Sequence, residues 1–578
     1  MHRLLRMLPV LGFVAYARAD ISIAQDDILA GNYDGTLAST QVVNYLAGAG
    51  ALYNDGFYGQ RTIIANIEGG YVWGQHEVFD RSGLGLPNSP ELTFSDGSVT
   101  GQYDYHATMV GHVLAGTGYS NGGLTTLGAG MAPLATLWSG AIATSFDPVN
   151  IGSFSTTDAS FLTPYKVAFQ GSFGSKADVI NSSWGFDDPA AISNENRVLD
   201  GLAAQNPSVT FVRAAGNGGP TAAPGVGYNG IVVGSLGGST DARPYLRPST
   251  FSSSAAADFY NPATGQTITG IRASVDIAAP GEQFALAAYL GDSGSLAGTP
   301  YVTATPPTDQ YFVFNQSGTS FASPVVAGGV SLLKDVSYVD FAGQPNARDT
   351  RVIKSILMAG ADATLGWDNG QHLVNGILTT TQSLDYVTGA GRINVATSDG
   401  IYTIGTEDLP GNGGGSIASA GWDLATVPLG GENDYFFNLA FQTNTELSVS
   451  LNWFAGVSFD NSTGLGTPID FANLDLQVWS VVNGVFTSEI AQSDSIYNNS
   501  EFLRFVLPSA GTYGLRVSFG SFVYDLTNAL SSEQYGIAWN ATTLAPVPES
   551  RAWSAAIGGV LMVLAWRRWR LSRRLKTS

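Results

Sequence analysis

Ser320 stands at a place where a hydroxyl could attack a carbonyl. In Asn315-Gln316-Ser317-Gly318-Thr319-Ser320-Phe321-Ala322-Ser323-Pro324 a glycine turn runs into an apolar segment, residues 325–333, which reads as a buried helix. Pro324 suits a first helical turn, where a missing N–H costs little. The free N–H groups and the dipole of a helix start favour negative charge. An attacking serine needs that, because an oxyanion forms beside it. The same Ser and Thr residues would also suit plain capping of a core helix. Three further polar residues stand at element ends. Glu68 follows an apolar run, residues 61–67, that reads as a buried strand. A carboxylate in that position is poorly solvated and needs a partner. His106 opens the helix-like segment 106–116, and Asn217 lies in Ala214-Ala215-Gly216-Asn217-Gly218-Gly219, a turn signal after the strand-like segment 208–213.

The elements that must position these residues alternate. Residues 61–67, 177–182 and 208–213 read as buried strands, with helical patterns between and after them, including an amphipathic helix over residues 350–357. Such alternation predicts a parallel α/β sheet. Beyond Gly411-Asn412-Gly413-Gly414-Gly415-Ser416, a flexible-linker signal, the pattern changes. Leu447-Ser448-Val449-Ser450-Leu451-Asn452-Trp453, Leu474-Asp475-Leu476-Gln477-Val478 and Tyr513-Gly514-Leu515-Arg516-Val517-Ser518 alternate with period two, which predicts a small β-sandwich.

Several of these segments together resemble the subtilisin-like serine proteases. Ser317-Gly318-Thr319-Ser320-Phe321-Ala322-Ser323-Pro324-Val325-Val326-Ala327-Gly328 is similar to the nucleophile motif of that family. Tyr105-His106-Ala107-Thr108-Met109-Val110-Gly111 resembles its His-Gly-Thr helix, with Ala107 in place of Gly. Gly130-Met131-Ala132-Pro133, Val275-Asp276-Ile277-Ala278-Ala279-Pro280-Gly281 and Gly389-Ala390-Gly391-Arg392-Ile393-Asn394 resemble further family segments, so the likeness covers roughly residues 60–400. It implies a subtilisin-like parallel-sheet catalytic domain, with Ser320 as nucleophile, His106 as base and the acid at Glu68, where the family carries aspartate. It also implies Asn217 as oxyanion donor, and substrate backbone paired along Ser183, Trp184 and Gly185 and bounded by Ala215 and Gly216. His76 is read as structural, and His112 is given no role. No metal ligands are assigned. The resemblance allows calcium, although no metal-loop motif appears, and it calls for no other cofactor.

Composition bounds the rest. The chain has 578 residues and a net charge of −20. Without residues 1–19 and 543–578, 16 basic residues face 45 acidic ones, a net charge of −29, which argues against nucleic acid as a partner. Cysteine is absent, excluding disulfides and thiol chemistry. Residues 1–19 show Arg3, Arg6, an apolar run and Ala17-Arg18-Ala19, the pattern of a signal peptide. The interval from Asp20 to Glu68 is too short for a full-length family propeptide. Val547-Pro548-Glu549-Ser550, an apolar run to Trp566 and Arg567-Arg568-Trp569-Arg570 resemble a PEP-CTERM sorting signal, which implies an exosortase-type partner and a membrane segment at residues 552–571. The expected organisation is a signal peptide (1–19), a peptidase domain (20–400), a linker (401–416), a β-sandwich resembling pre-peptidase C-terminal domains (417–542) and a sorting signal (543–578). The expected activity is that of a secreted or cell-surface serine endopeptidase acting on proteins or peptides. The alternative expectation is a weak or inactive subtilisin-fold binding protein of the cell surface or extracellular matrix.

Overall fold

The computed structural model describes residues 40–544 except 99–102, 118, 121–125, 128, 147–152, 173, 238–244, 288 and 290–311. The signal-peptide and sorting-signal segments lie outside the described residues. Two short helices, α1 (Thr40–Leu46) and α2 (Ala49–Asn54), precede a sheet of β1 (Ile63–Glu68), β2 (Leu92–Phe94), β3 (Thr136–Ala141), β4 (Val179–Ser182), β5 (Thr210–Ala214), β6 (Ile231–Gly237) and β7 (Ile277–Pro280). From β6 the order runs β6-β5-β4-β1-β3-β2, with every pair parallel and β7 also parallel to β6. This is the parallel α/β sheet that the alternation predicts.

Helices α3 (Tyr105–Ala115) and α6 (Thr319–Asp340) share one core with Ile64 and Val212, while α4 (Asp158–Gln170) and α5 (Asn194–Gln205) share another with Ala65, Ile67 and Phe211. Successive strand side chains point to opposite faces. Glu68 therefore follows Ile64 and Asn66 towards α3 and α6. Pro324 is not in the first turn: α6 begins at Thr319, so the proline lies one turn deeper and removes the N–H that would bond the Ser320 carbonyl.

Past α7 (Thr350–Ala359) come β8 (Ile377–Thr380), α8 (Val395–Ile404) and the strands β9 (Ala420–Pro428), β10 (Glu432–Phe437), β11 (Thr445–Trp453), β12 (Leu465–Val482), β13 (Val485–Ser493), β14 (Ser500–Val506), β15 (Thr512–Asp525) and β16 (Ser532–Thr543). One sheet runs β8-β13-β12-β15-β10 and the other β9-β16-β11-β14. Trp453, Trp539, Tyr435, Leu476 and Leu515 fill the space between them. The glycine-rich segment is an ordered turn rather than a free tether. Gly411, Gly413, Gly414 and Gly415 have positive φ, the Asn412 carbonyl accepts from Thr426 N–H (3.2 Å), and Gly415–Ile417 pairs with β10.

The expected amphipathic helix α7 has no wet face. Val352, Ile353 and Ile356 face the α/β core, while Arg351 and Ser355 bond to the sandwich, Arg351 Nη2 to Gln534 Oε1 (2.7 Å) and Ser355 Oγ to the Gly536 carbonyl (2.8 Å). A side chain on Gly536 would overlap the Arg351 backbone, and one on Gly466 would overlap that of Arg197 in α5. Among the described residues no helix is long and apolar enough to cross a membrane. Gly536→Ala is expected to destabilise the protein by about 1–3 kcal/mol through overpacking against α7. Chemical denaturation of the full chain against wild type checks this.

Candidate active site

Parallel strands end on one side of the sheet, and the polar residues gather there. Glu68 is the last residue of β1 and is almost fully buried. His106 Nδ1 lies 3.0 Å from Glu68 Oε2, and the Ser183 N–H donates to Glu68 Oε1 at 2.7 Å. A carboxylate only accepts, so the imidazole proton sits on Nδ1 and Nε2 carries the free lone pair. The backbone holds Glu68 without left-handed glycine geometry after it. Gly69 and Gly70 are not at positive φ, and Gly69 instead makes room for the rings of Phe146 and Phe154.

His106 is the second residue of α3. Asp104 caps that helix, its Oδ1 accepting from the His106 N–H at 3.1 Å. Burial by itself would lower the His106 pKa, but the charge and hydrogen bond of Glu68, with Asp104 behind, hold it above its ordinary value. The Glu68 carboxyl is pushed up, first by burial, against the pull of His106 and the Ser183 N–H.

Ser320 is the second residue of α6 and is mostly buried. Its Oγ donates to the Ser183 carbonyl at 3.0 Å, so the serine and the acid are joined through the two backbone groups of one residue. Asn217 lies opposite, on the exposed turn after β5. Its Oδ1 accepts from Thr319 N–H and Thr319 Oγ1, both at 2.9 Å, which leaves the amide nitrogen to point outwards. The position of a Cβ on Gly318 is 3.6 Å from both Asn217 Nδ2 and Ser320 N, so these two nitrogens lie close together. Two N–H donors beside a hydroxyl can hold a developing oxyanion.

Beneath the site the support is polar and buried. Ser323 Oγ donates to Asn181 Oδ1 (2.8 Å), Asn181 Nδ2 to Ser183 Oγ (3.1 Å) and to Asn66 Oδ1 (3.3 Å), and Asn66 Nδ2 to the Ala107 carbonyl (3.2 Å). The chain of bonds ties α6, β4, β1 and α3 together. Sequence reading passed over Asn66, Asn181, Thr319 and Asp104. Only Asp104 had a local signal, an acidic residue at an N-cap position.

Glu68, His106, Ser320, Asn217 and Ser183 thus meet in one place. Trp184 turns its ring into a cluster with Phe154 and Phe161, and its Nε1 donates to the Ile67 carbonyl at 3.0 Å. Gly185 is exposed, and Ala215 and Gly216 form the turn before Asn217, where Gly216 N–H donates to Thr319 Oγ1 at 3.1 Å. His76 caps a 3-10 turn by accepting from Val78 N–H (3.3 Å), and His112 accepts from Ala287 N–H (3.0 Å); both lie outside this cluster. Among the described residues no group of three or more His, Asp or Glu side chains is arranged to hold a metal ion.

A serine and an imidazole bonded to a carboxylate, at the carboxyl ends of a parallel sheet, are the groups that a serine-type peptidase uses. The profile of the subtilase family matches residues 71–381, more than half of the chain, and the chain belongs to that family. The match includes His106, Asn217 and Ser320 and begins just past Glu68. Among solved structures, the chain is similar to the prenylagaramide maturation protease PagA (18% identity, 61% of this chain and 96% of that one, TM-score 0.37). It is also similar to a serine protease of Aeromonas sobria (16% identity, 84% of this chain and 88% of that one, TM-score 0.41). No curated protein matches it in sequence.

The electrostatics give a pH signature. A carboxylate at Glu68 stabilises the imidazolium, so His106 in the wild type should lose its proton above the ordinary histidine value. In Glu68→Gln the same proton should leave at lower pH, because the charge that held it is gone. Titration of the His106 ring by NMR in both proteins checks the direction.

Proposed function

We propose that this subtilase is a secreted or cell-surface serine endopeptidase in which Ser320, His106 and Glu68 form the catalytic set. The observation that carries this reading is the Glu68 carboxylate spanning His106 Nδ1 and the Ser183 N–H. His106 Nε2 takes the Ser320 proton as Oγ attacks the substrate carbonyl, then passes it to the leaving amine. Glu68 keeps the required tautomer and stabilises the imidazolium. Asn217 Nδ2 and the Ser320 N–H hold the oxyanion, while Ser183, Trp184 and Gly185, with Ala215 and Gly216, line the extended substrate. Water repeats the sequence on the acyl-enzyme, with His106 again as base.

The wider assignment rests on sequence. Residues 1–19 would direct export, residues 20–400 would form the peptidase domain, and residues 417–542 a β-domain of pre-peptidase type behind the 401–416 turn. Residues 543–578 would be read by an exosortase-type enzyme and would hold the chain in the membrane through residues 552–571 until processed. A second reading, a weak or inactive binding protein, is favoured by one observation: Ser320 Oγ donates to the Ser183 carbonyl rather than to His106. Such a bond can re-form on substrate entry, since catalytic hydrogen bonds often tighten only in the complex.

A serine-directed fluorophosphonate separates the two readings. Wild type should be labelled, and Ser320→Ala and His106→Ala should not. Equal labelling of the three proteins, or none in wild type, would remove the peptidase reading.

The acid has its own test in kcat/KM on a peptide substrate. Glu68→Gln should lose about 10³–10⁴-fold, since an amide keeps shape but neither charge nor tautomer. Glu68→Asp should lose less, because it keeps the charge but falls one bond short of His106. Full activity in Glu68→Gln would exclude Glu68 as the third member.

A further inference from the structure

Arg213 is the last residue but one of β5, and strand alternation sends its side chain to the face away from α6. It is 2% exposed. Its Nη1 donates to Asn196 Oδ1 (2.6 Å) and its Nε lies 3.4 Å from the Trp184 carbonyl, but Nη2 is buried with no hydrogen-bond partner. The guanidinium stacks on Phe186 (4.9 Å) and Trp184 (5.7 Å). Among the described residues no carboxylate lies within ion-pair distance of it. The two acids whose charge acts on it are committed to other donors. Asp188 accepts from Ile192 N–H, Ser193 N–H and Asn196 Nδ2, and Asp200 accepts from Tyr228 N–H and Asn229 N–H. Asp200 and Asp188 thus act on the guanidinium only without contact, and a buried guanidinium with no ion-pair contact is costly.

Its position relates it to the substrate. β5 leads into Ala215 and Gly216, one wall of the proposed substrate slot, and the guanidinium lies beneath Trp184 and Gly185, the other wall. A side chain on Gly185 would meet only Arg213, with Nη2 at 3.6 Å and Nε at 3.9 Å. The residue that supplies the scissile carbonyl has its carbon at Ser320 Oγ and its oxygen facing Asn217, which leaves its side chain to enter between these walls. We infer that Arg213 is a specificity-determining residue, selecting an acidic side chain, glutamate or aspartate, immediately before the scissile bond. This inference rests on the peptidase reading of the site. A net charge of −20 disfavours acidic peptides at long range, so such a preference must come from a local buried cation.

The test uses the full chain and internally quenched peptides that differ only in the residue before the scissile bond: Glu, Gln, Leu or Lys. In wild type, kcat/KM for Glu should exceed that for Gln by about 10- to 100-fold, the range expected for hydrogen bonds to a buried charge. In Arg213→Met the Glu/Gln ratio should fall to about one, and Arg213→Lys should retain part of it. A wild-type ratio near or below one, or an unchanged ratio in Arg213→Met, would overturn the inference. Should Arg213→Met fail to melt cooperatively, the wild-type ratio and Arg213→Lys decide. Cleavage without a Glu preference removes only this inference. Absence of both cleavage and fluorophosphonate labelling removes the peptidase reading, and this inference with it.

Discussion

The buried carboxylate of Glu68 constrains everything around it. Placed at the end of β1 and shut off from water, it can keep its charge only by finding donors, and it finds two. The Ser183 N–H fixes the turn after β4, and His106 Nδ1 fixes the start of α3. Because the Ser183 carbonyl also takes the Ser320 hydroxyl, a single residue of the chain links the position of the Glu68 carboxylate to that of the Ser320 hydroxyl. Moving the turn after β4 or the start of α3 would take away one of the two donors to a buried carboxylate, which is strongly destabilising.

A second layer keeps these elements from moving. Asn66, Asn181 and Ser323 form a buried chain of amide and hydroxyl bonds beneath the site, and Thr319 clamps the oxygen of Asn217 with both its N–H and its hydroxyl. Buried polar groups are stable only when satisfied, so the network specifies one arrangement rather than a range of them. The amide nitrogen of Asn217 is left free because Thr319 holds the oxygen.

The β-sandwich is joined to this unit more closely than the glycine-rich boundary suggests. Strand β8, which precedes the boundary, pairs in parallel with β13, and α7 serves as a wall for both cores. Asn229 makes the same point from the peptidase side, donating to the Ala455 carbonyl (2.9 Å) and accepting from the Ala455 N–H (2.8 Å). Gly466 and Gly536 allow backbone to approach backbone where any side chain would collide. Of the polar residues that made α7 look amphipathic, Arg351 and Ser355 are therefore interface residues.

By itself the sequence determined the classes of structure: a parallel α/β sheet from alternating strand and helix patterns, a two-sheet β-region from period-two segments, and the candidate residues Glu68, His106, Asn217 and Ser320 from short motifs at element ends. These were legible because each depends on local spacing, and spacing decides which face or end a residue occupies. The tertiary structure alone decided how those ends meet. That Ser183 joins the Glu68 carboxylate to the Ser320 hydroxyl, that Asn66 and Asn181 support the floor, and that Arg213 lies beneath Gly185 with Nη2 unbonded are facts about residues distant in sequence. The same holds for the burial of α7 and for the ordered turn at the glycine-rich segment. Periodicity reports which side of an element is polar. It carries no information about what covers that side, because the covering surface comes from another part of the chain.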